Sequence, residues 1–176
     1  TDPDYDALTE RPEVFLLGTS VNDRRSYGIY LQDQIAFSDS LKLLIGGRYD
    51  WLTVESGGIT PDDVTITTSQ SDEAFSPRIG LVYQPSDTVS LYGSYSRSFN
   101  QAFGQNPDNE PFEPTRGTQY EVGVKADFLD GRLSATLAAY NLTQTNVLTP
   151  DSDPVLAARG FSEQVGEQRS RGIELD

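Results

Sequence analysis

The sequence predicts an all-β protein, an antiparallel transmembrane β-barrel, and three observations support this fold class. Bulky apolar residues lie at alternate positions over long stretches, as Ile79, Leu81 and Tyr83 do. Short polar turns join neighbouring stretches at one end, and long acidic loops join them at the other end. Aromatic residues recur at two levels along the stretches. Together these patterns are typical of strands that expose one face to lipid.

Strands are predicted wherever the alternation of apolar and polar residues persists between turn signals. In chain order they cover residues 25–37, 41–54, 75–84, 89–100, 117–128, 132–145 and 168–175. Tight turns are predicted where Ser, Asp, Pro or Gly residues interrupt the pattern, at 38–40, 85–88 and 130–131. These residue types favour chain reversal because they bond to their own backbone or tolerate a positive φ.

Longer loops are predicted at the opposite strand ends, where acidic and turn-forming residues accumulate. They cover residues 55–74, 101–116 and 146–167, and residues 1–24 are interpreted as a further extracellular loop. No segment shows convincing 3.6-residue periodicity, so no helix is predicted. This asymmetry of short turns and long loops is characteristic of outer-membrane barrels.

Aromatic residues mark two levels of the predicted strands. Phe37, Tyr83 and Phe128 lie close to the tight turns, whereas Tyr95 and Tyr120 lie about ten residues further along. Ten residues of a tilted strand rise on the order of 25 Å, which matches the apolar band between two aromatic girdles. Phe128 and Tyr120 therefore predict opposite membrane interfaces.

Alternation also assigns the two faces of each strand. Tyr120, Val122 and Val124 are expected to face lipid, whereas Glu121 and Lys125 are expected to face a hydrated lumen.

Two residues do not fit this assignment. Asp33 lies at a lipid-facing position of its strand, and Leu142 lies at a lumen-facing position. A β-bulge near each residue would restore the expected faces.

Composition excludes several function classes. The formal net charge is −14 and no basic patch occurs, which argues against nucleic-acid binding. Cysteine, histidine and methionine are absent, so the chain lacks thiolate metal ligands and the usual general base. Neither catalytic residues nor resident metal ligands are predicted, and an enzyme is not supported. Acidic pairs such as Asp151 and Asp153 lack the spacing of a calcium loop and are interpreted as solvated charge.

Five stretches resemble TonB-dependent ferric-siderophore receptors, and most of all their ferrichrome and related hydroxamate branch. In order they are SYGIYLQDQ, LLIGGRYDW, SPRIGLVYQPSDTVSLYGSYSRSF, FEPTRGTQYEVGVKADFLDGRLSATLAAYNLTQTNVLTPD and GEQRSRGIELD. The resemblance implies a barrel of about 22 strands with a plugged lumen, in the outer membrane of a Gram-negative-type envelope. Residues 1–176 would form part of this barrel domain, with about seven consecutive strands over 25–176, and the plug domain and the C-terminal strands are expected to be absent from this segment.

The resemblance also implies two groups of functional residues. Loop aromatics expected to contact the siderophore are Tyr5, Phe15, Phe99, Phe103 and Phe112. Residues expected to face the lumen and the plug are Arg48, Asp50, Arg78, Glu121 and Lys125. No cofactor is expected, because the iron arrives already enclosed in its chelate.

The function implied is TonB-dependent active import of ferric siderophores. The implied partners are the ferric siderophore, the plug domain of the same protein, the TonB-ExbB-ExbD energy-transducing complex acting through the plug, and outer-membrane lipid. Two alternatives remain at this point, a passive porin-like barrel and a soluble β-sandwich binding protein. The strand pattern does not specify which siderophore is bound, because loop chemistry sets that choice.

Overall fold

The computed structural model describes residues 19–59, 64–104, 106–108 and 110–176. Seven strands and one short helix follow in chain order: β1 (Thr19–Ala36), β2 (Leu41–Ile59), β3 (Val64–Ser86), β4 (Val89–Asn100), β5 (Thr115–Phe128), β6 (Leu133–Pro150), α1 (Pro154–Ala158) and β7 (Ser162–Leu175). All seven belong to one sheet in sequence order, and the pairs from β3 to β7 are antiparallel. A soluble sandwich needs a second sheet packed on the first, and within the described ranges no strand lies outside this one.

The chain divides into two compact units, Thr1–Arg25 with Thr53–Gln70, and Ser26–Leu52 with Ser71–Asp176. In the first unit, Arg25 lies 2.7 Å from a carboxylate oxygen of Asp23 and 3.6 Å from one of Glu55. The side chains of the candidate functional site described below all belong to the second unit.

The three predicted tight turns are present. In the first turn, the backbone N–H of Phe37 donates to the carbonyl of Leu41 at 2.9 Å. The second turn consists of Asp87 and Thr88. The third covers residues 129–132, where Leu129, Asp130 and Gly131 have φ values of 54°, 57° and 79°, a conformation that Gly and Asp tolerate best.

The strands extend beyond their predicted ends. β1 begins at Thr19 rather than at residue 25, so the predicted boundary of the first loop at residue 24 is wrong. The predicted loop at 55–74 is also largely wrong, because β2 continues to Ile59 and β3 begins at Val64. Likewise β6 reaches Pro150 and β7 starts at Ser162.

The prediction that the chain contains no helix is wrong as well. α1 occupies five residues between β6 and β7. Asp153 caps its N-terminus by accepting a hydrogen bond from the backbone N–H of Val155, and Pro154 occupies the first helical turn. Both residue types favour helix starts. None of the described helical structure is long and apolar enough to cross a membrane.

The pairing register decides one of the two doubtful positions. No bulge occurs near Leu142, since β6 pairs in unbroken register with Gln119 on β5 and Ser170 on β7. Leu142 occupies the polar face beside Gly117, where a Cβ atom would lie 4.0 Å from its Cδ1 atom. At Asp33, the carboxylate accepts a hydrogen bond from the next backbone N–H at 2.8 Å.

A register shift occurs instead between Tyr83 and Ser86 in the pairing of β3 with β4. It coincides with Pro85, which has no backbone N–H to donate and is tolerated at such irregularities.

Buried apolar residues are few. The buried apolar side chains in the described ranges are Leu52, Val54, Ala102, Phe112 and Ala138. Large apolar residues in the middle of strands, such as Leu81, Leu91 and Val122, are exposed. Exposed apolar residues on one face of a sheet are expected where that face contacts lipid.

Candidate functional site

One face of the sheet carries a network of polar side chains. The ammonium of Lys42 donates to the Gln84 side-chain oxygen at 2.8 Å, and Gln84 Nε2 donates to Ser90 Oγ at 3.3 Å. The guanidinium of Arg78 donates to Gln32 Oε1 at 3.1 Å. These bonds connect side chains from β1 to β4 across the same face. This polar face is where alternation places the predicted lumen residues.

Arg48 and Asp50 form an ion pair on the polar face. Arg48 Nε donates to Asp50 Oδ1 at 2.6 Å, and Asp50 as a whole is 7% exposed. A buried carboxylate requires such a partner, because an unpaired charge is costly to remove from water. Gly28 lies opposite, where a Cβ atom would overlap both side chains. The missing side chain at Gly28 therefore makes room for this ion pair.

Glu121 is held by two donors on the same face. Tyr92 Oη donates to Glu121 Oε1 at 2.8 Å, and Gln119 Nε2 donates to Glu121 Oε2 at 3.0 Å. The Tyr92 ring lies over Gly123, where a Cβ atom would come within 2.5 Å of its Cζ atom. The glycine thus allows the ring to lie flat along the sheet and reach Glu121.

The polar face continues toward β7. The Tyr140 ring covers Gly172 in the same manner as Tyr92 covers Gly123, because a Cβ atom on Gly172 would lie 2.8 Å from the Tyr140 ring.

Lys125 also lies on the polar face, because it pairs with Ser90 in the register of β4 and β5. Arg48, Asp50, Arg78, Glu121 and Lys125 therefore share one face of the sheet, as the sequence pattern predicts.

The opposite face is apolar and carries two aromatic pairs. The rings of Tyr95 and Tyr120 are 5.1 Å apart between centroids, and those of Tyr49 and Trp51 are 4.8 Å apart. Tyr49 Oη also donates to Glu73 at 2.8 Å. Tyr and Trp favour membrane interfaces, because one part of the ring is apolar and the other part forms hydrogen bonds.

The β4–β5 loop begins with a buried polar anchor. Gln101 is buried, and its Nε2 atom donates to Asp72 Oδ2 at 2.5 Å. Phe103, two residues later, is 51% exposed. Phe112 is buried against Gly104 and Leu148, since a Cβ atom on Gly104 would lie 2.9 Å from the Phe112 ring. The loop thus packs one of its phenylalanines and exposes the other.

The second half of this loop is bound to β6 and β7. Asn146, which has a φ of 57°, donates from Nδ2 to Glu113 Oε2 at 3.2 Å and to the Pro114 carbonyl at 3.3 Å. Its own carbonyl accepts from Thr115 Oγ1 at 2.9 Å and from Gln164 Nε2 at 3.1 Å. Gln164 Nε2 also donates to the Glu113 carbonyl at 2.6 Å. We call these five residues the Asn146 cluster.

The predicted ligand-contact residues do not all come together. Phe103 and Phe112 lie in one loop, whereas Phe99 lies on the apolar face, because its neighbour Ser98 adjoins Gly117 on the polar face. Tyr5 and Phe15 fall outside the described residues.

The anchors of the loop were not predicted. Gln101, Asn146 and Gln164 are single polar residues within polar segments, and only the register of the long strands brings them to their partners.

The acidic pair after β6 has a local role. Asp151 Oδ1 accepts the backbone N–H of Asp153, and Asp153 in turn caps α1. Within the described ranges, no group of three or more carboxylates is placed to hold a metal ion.

A sheet with one hydrogen-bonded polar face, one exposed apolar face and aromatic pairs at its border is a section of outer-membrane β-barrel wall. The family model described as "TonB dependent receptor-like, beta-barrel" matches residues 2–176. The chain belongs to this family, which consists of outer-membrane receptors and transporters rather than enzymes. Membership of this family argues against the alternative of a passive porin-like barrel.

Curated relatives include the metal-pseudopaline receptor CntO of Pseudomonas aeruginosa, 39% identical over 82% of this chain and 20% of that protein. The ferrichrome outer membrane transporter/phage receptor of Escherichia coli is 37% identical over 89% of this chain and 20% of that protein. A solved structure, the ferripyoverdine receptor of Pseudomonas aeruginosa bound to ferripyoverdine, has a TM-score of 0.68 at 27% identity, over 88% of this chain and 20% of that one. The chain thus spans about a fifth of the length of these relatives.

Proposed function

We propose that this chain forms part of the barrel wall and of the extracellular ligand-binding loops in a TonB-dependent transporter of ferric siderophores. Its family and the names of its relatives, which include ferrichrome, pyoverdine and ferrioxamine B receptors, support this proposal. The iron would arrive as a chelate, so the protein needs no iron ligands of its own. The partners would be the ferric chelate, the plug domain, and the TonB-ExbB-ExbD complex acting through the plug.

The observation that carries the proposal is the construction of the β4–β5 loop. Gln101 fixes one end of the loop and the Asn146 cluster fixes the other, while Phe103 stays exposed between them. A rigid loop that presents an aromatic side chain loses little conformational entropy when it meets a ligand. Phe103 is therefore the described aromatic best placed to contact a chelate.

In this proposal the polar face of the sheet lines the lumen of the barrel. Its charges are already satisfied within the sheet, as Asp50 is by Arg48 and Glu121 is by Tyr92 and Gln119. A wall with satisfied charges can remain hydrated and contact a plug without binding it irreversibly. Arg78 and Lys125 would add positive charge to the same surface.

The test is binding of ferric chelates to the full-length receptor. Ferrichrome, ferrioxamine B, ferripyoverdine and a metal-pseudopaline complex form the panel, because relatives are named for each of them. Phe103→Ala should weaken binding of the accepted chelate about tenfold, as expected for about 1.4 kcal/mol of lost aromatic contact. Phe128→Ala is the matched control, since Phe128 is 50% exposed at the opposite end of the sheet.

The outcomes separate the function from the role of one residue. Wild-type affinity in Phe103→Ala would refute the contact assigned to Phe103 alone. Failure of the wild-type receptor to bind any member of the panel would overturn the siderophore proposal. Uptake that continues after the proton gradient is collapsed would contradict active transport.

A further inference from the structure

Three aromatic rings of the sheet each cover a glycine on the neighbouring strand. We call these contacts the ring–glycine joints, and they are Phe75 over Gly47, Tyr92 over Gly123, and Tyr140 over Gly172. A Cβ atom added to these glycines would lie 2.6, 2.5 and 2.8 Å, respectively, from a ring atom. These distances are shorter than van der Waals contact. Each ring therefore occupies the space of the side chain that glycine lacks.

The joints occur between strands that are connected at the loop end of the sheet. They join β2 to β3, β4 to β5 and β6 to β7. The alternate pairs, β1 with β2, β3 with β4 and β5 with β6, are connected by the tight turns. In the part of the chain that the structure describes, the atoms nearest to a glycine across these turn-connected pairs are not ring atoms. The joints and the tight turns thus divide the strand pairs between them.

This division matters because two different features can fix the pairing register. A tight turn sets the register of the two strands that it connects, whereas a long loop leaves that register open. Alternation of apolar and polar residues constrains the register only in part. A slip of one residue moves every side chain to the wrong face, but a slip of two residues keeps each side chain on its own face. Strands connected at the loop end therefore need a further signal.

The joint between β4 and β5 supplies such a signal. Tyr92 lies directly across from Gly123 in the register of these strands. After a slip of two residues, the Tyr92 ring would lie across from Glu121 or Lys125 instead. Both of these side chains would stand in the space that the ring occupies over the glycine. Only the observed register lets the ring lie along the sheet.

The other two glycines are flanked in the same way. Two residues away on the same face lie Ser170 and Glu174 beside Gly172, and Ile45 and Tyr49 beside Gly47. None of these flanking residues is a glycine. Each ring therefore has a single place on its neighbouring strand, and that place defines one register among those that alternation allows.

We propose that the ring–glycine joints set the register of the strand pairs that are connected at the loop end. The pairing of β4 with β5, and of β6 with β7, is then specified within the strands and not by the loops between them. Loop residues such as Phe103 are free to serve ligand contact without shifting the wall below. This role does not depend on which ligand the loops bind, and it does not rest on the siderophore proposal.

The experiment traps the register of β4 and β5 as a disulfide in the full-length receptor, refolded into lipid vesicles and free of other cysteines. Gln119→Cys is combined with Ser96→Cys, its partner in the observed register. In parallel samples it is combined with Ser94→Cys or Ser98→Cys, which would face position 119 only after a slip of two residues. Mass spectrometry of the oxidised protein gives the ratio of shifted to native disulfide.

Three variants of the ring show what sets this ratio. Tyr92→Ala should raise the ratio of shifted to native disulfide about fivefold, as expected for the loss of one packed ring. Tyr92→Phe loses the hydrogen bond to Glu121 but keeps the ring, so its ratio should equal that of the wild type. Tyr95→Ala is the matched control, because it removes a ring of the same strand that contacts Tyr120 and not a glycine. Its ratio should also equal that of the wild type.

A change on the glycine side keeps the test decisive if Tyr92→Ala folds poorly. Gly123→Ala retains the ring and blocks its place on β5, so it should raise the ratio of shifted to native disulfide as well. A wild-type ratio in folded Tyr92→Ala or Gly123→Ala would overturn the proposal. An equal rise in Tyr95→Ala would also overturn it, since any lost ring would then loosen the pairing.

Discussion

Replacing Asn146 with alanine tests whether the Asn146 cluster holds the β4–β5 loop in place. The change removes the two side-chain bonds to Glu113 and Pro114, at 3.2 and 3.3 Å. It also leaves an alanine at a φ of 57°, a conformation that asparagine tolerates better. The loop should therefore open more readily in the variant.

The magnitude follows from these two losses. Each bond is partly exposed and contributes about 0.5 kcal/mol, and an alanine in the left-handed region costs about 1 kcal/mol. The sum, about 2 kcal/mol, corresponds to roughly a 30-fold increase in the local opening equilibrium. Asn146→Gly loses the same bonds but adopts a positive φ freely, so we expect about 1 kcal/mol and a roughly fivefold increase.

Amide hydrogen exchange of the full-length receptor measures this opening directly. The amides of Glu110, Phe112 and Glu113, the residues of segment 110–114 that carry an N–H, should exchange fastest in Asn146→Ala, more slowly in Asn146→Gly, and slowest in the wild type. The turn at 129–132 lies at the other end of the sheet and should exchange equally in all three proteins. Unchanged exchange at 110–114, or equal acceleration in both segments, would refute the anchoring role of Asn146.

Two further predictions concern the polar face, and both are measured by denaturant unfolding of the full-length receptor. Gly123→Ala should destabilise the receptor more than Tyr92→Phe does. The added Cβ atom displaces the Tyr92 ring, whereas the phenylalanine loses only the hydrogen bond to Glu121. Equal midpoints of denaturant unfolding for the two variants would contradict this reasoning. Arg48→Ala should cost about 1–3 kcal/mol by leaving the buried Asp50 carboxylate without its cation. That cost should shrink in an Asp50→Asn background, and strict additivity of the two changes would show that the pair does not interact.

Strands within the predicted apolar band could be identified from the sequence, because lipid on one face enforces alternation. Ile79, Leu81 and Tyr83 show that pattern, and β4 was predicted with both of its ends correct. Toward the loops the pattern disappears, since both faces of a strand in water accept polar residues. The segment 64–74 is rich in Thr and Ser, and its composition predicts a loop, although its backbone forms the first part of β3.

Leu142 shows a second limit of sequence reasoning. The alternation of faces along β6 allows two arrangements at Leu142, a bulge or an apolar side chain on the polar face. The residue type alone does not decide between them. The pairing decides it, because β6 runs without a register shift past Leu142, which lies across from Gln119 on the polar face. Such placement depends on register, which the sequence of one strand does not contain.

The candidate site was only partly predictable for a related reason. The charges of the polar face follow from alternation, so Glu121 and Lys125 were assigned correctly to one face. Loop contacts such as Gln101 with Asp72 join residues 29 apart in sequence, and no local pattern marks them. The short helix α1 was missed because five residues are too few for helical periodicity.

The assignment of the two faces is tested most directly by fluorophores on single cysteines in the reconstituted full-length receptor. This chain contains no cysteine, so Val122→Cys and Ser94→Cys introduce one thiol each at adjacent levels on opposite faces. Lipids that carry a quencher on their acyl chains should strongly quench the label at position 122 and leave the label at position 94 bright. Equal quenching at both positions, or stronger quenching at position 94, would contradict a lipid-facing apolar face and a lumen-facing polar face.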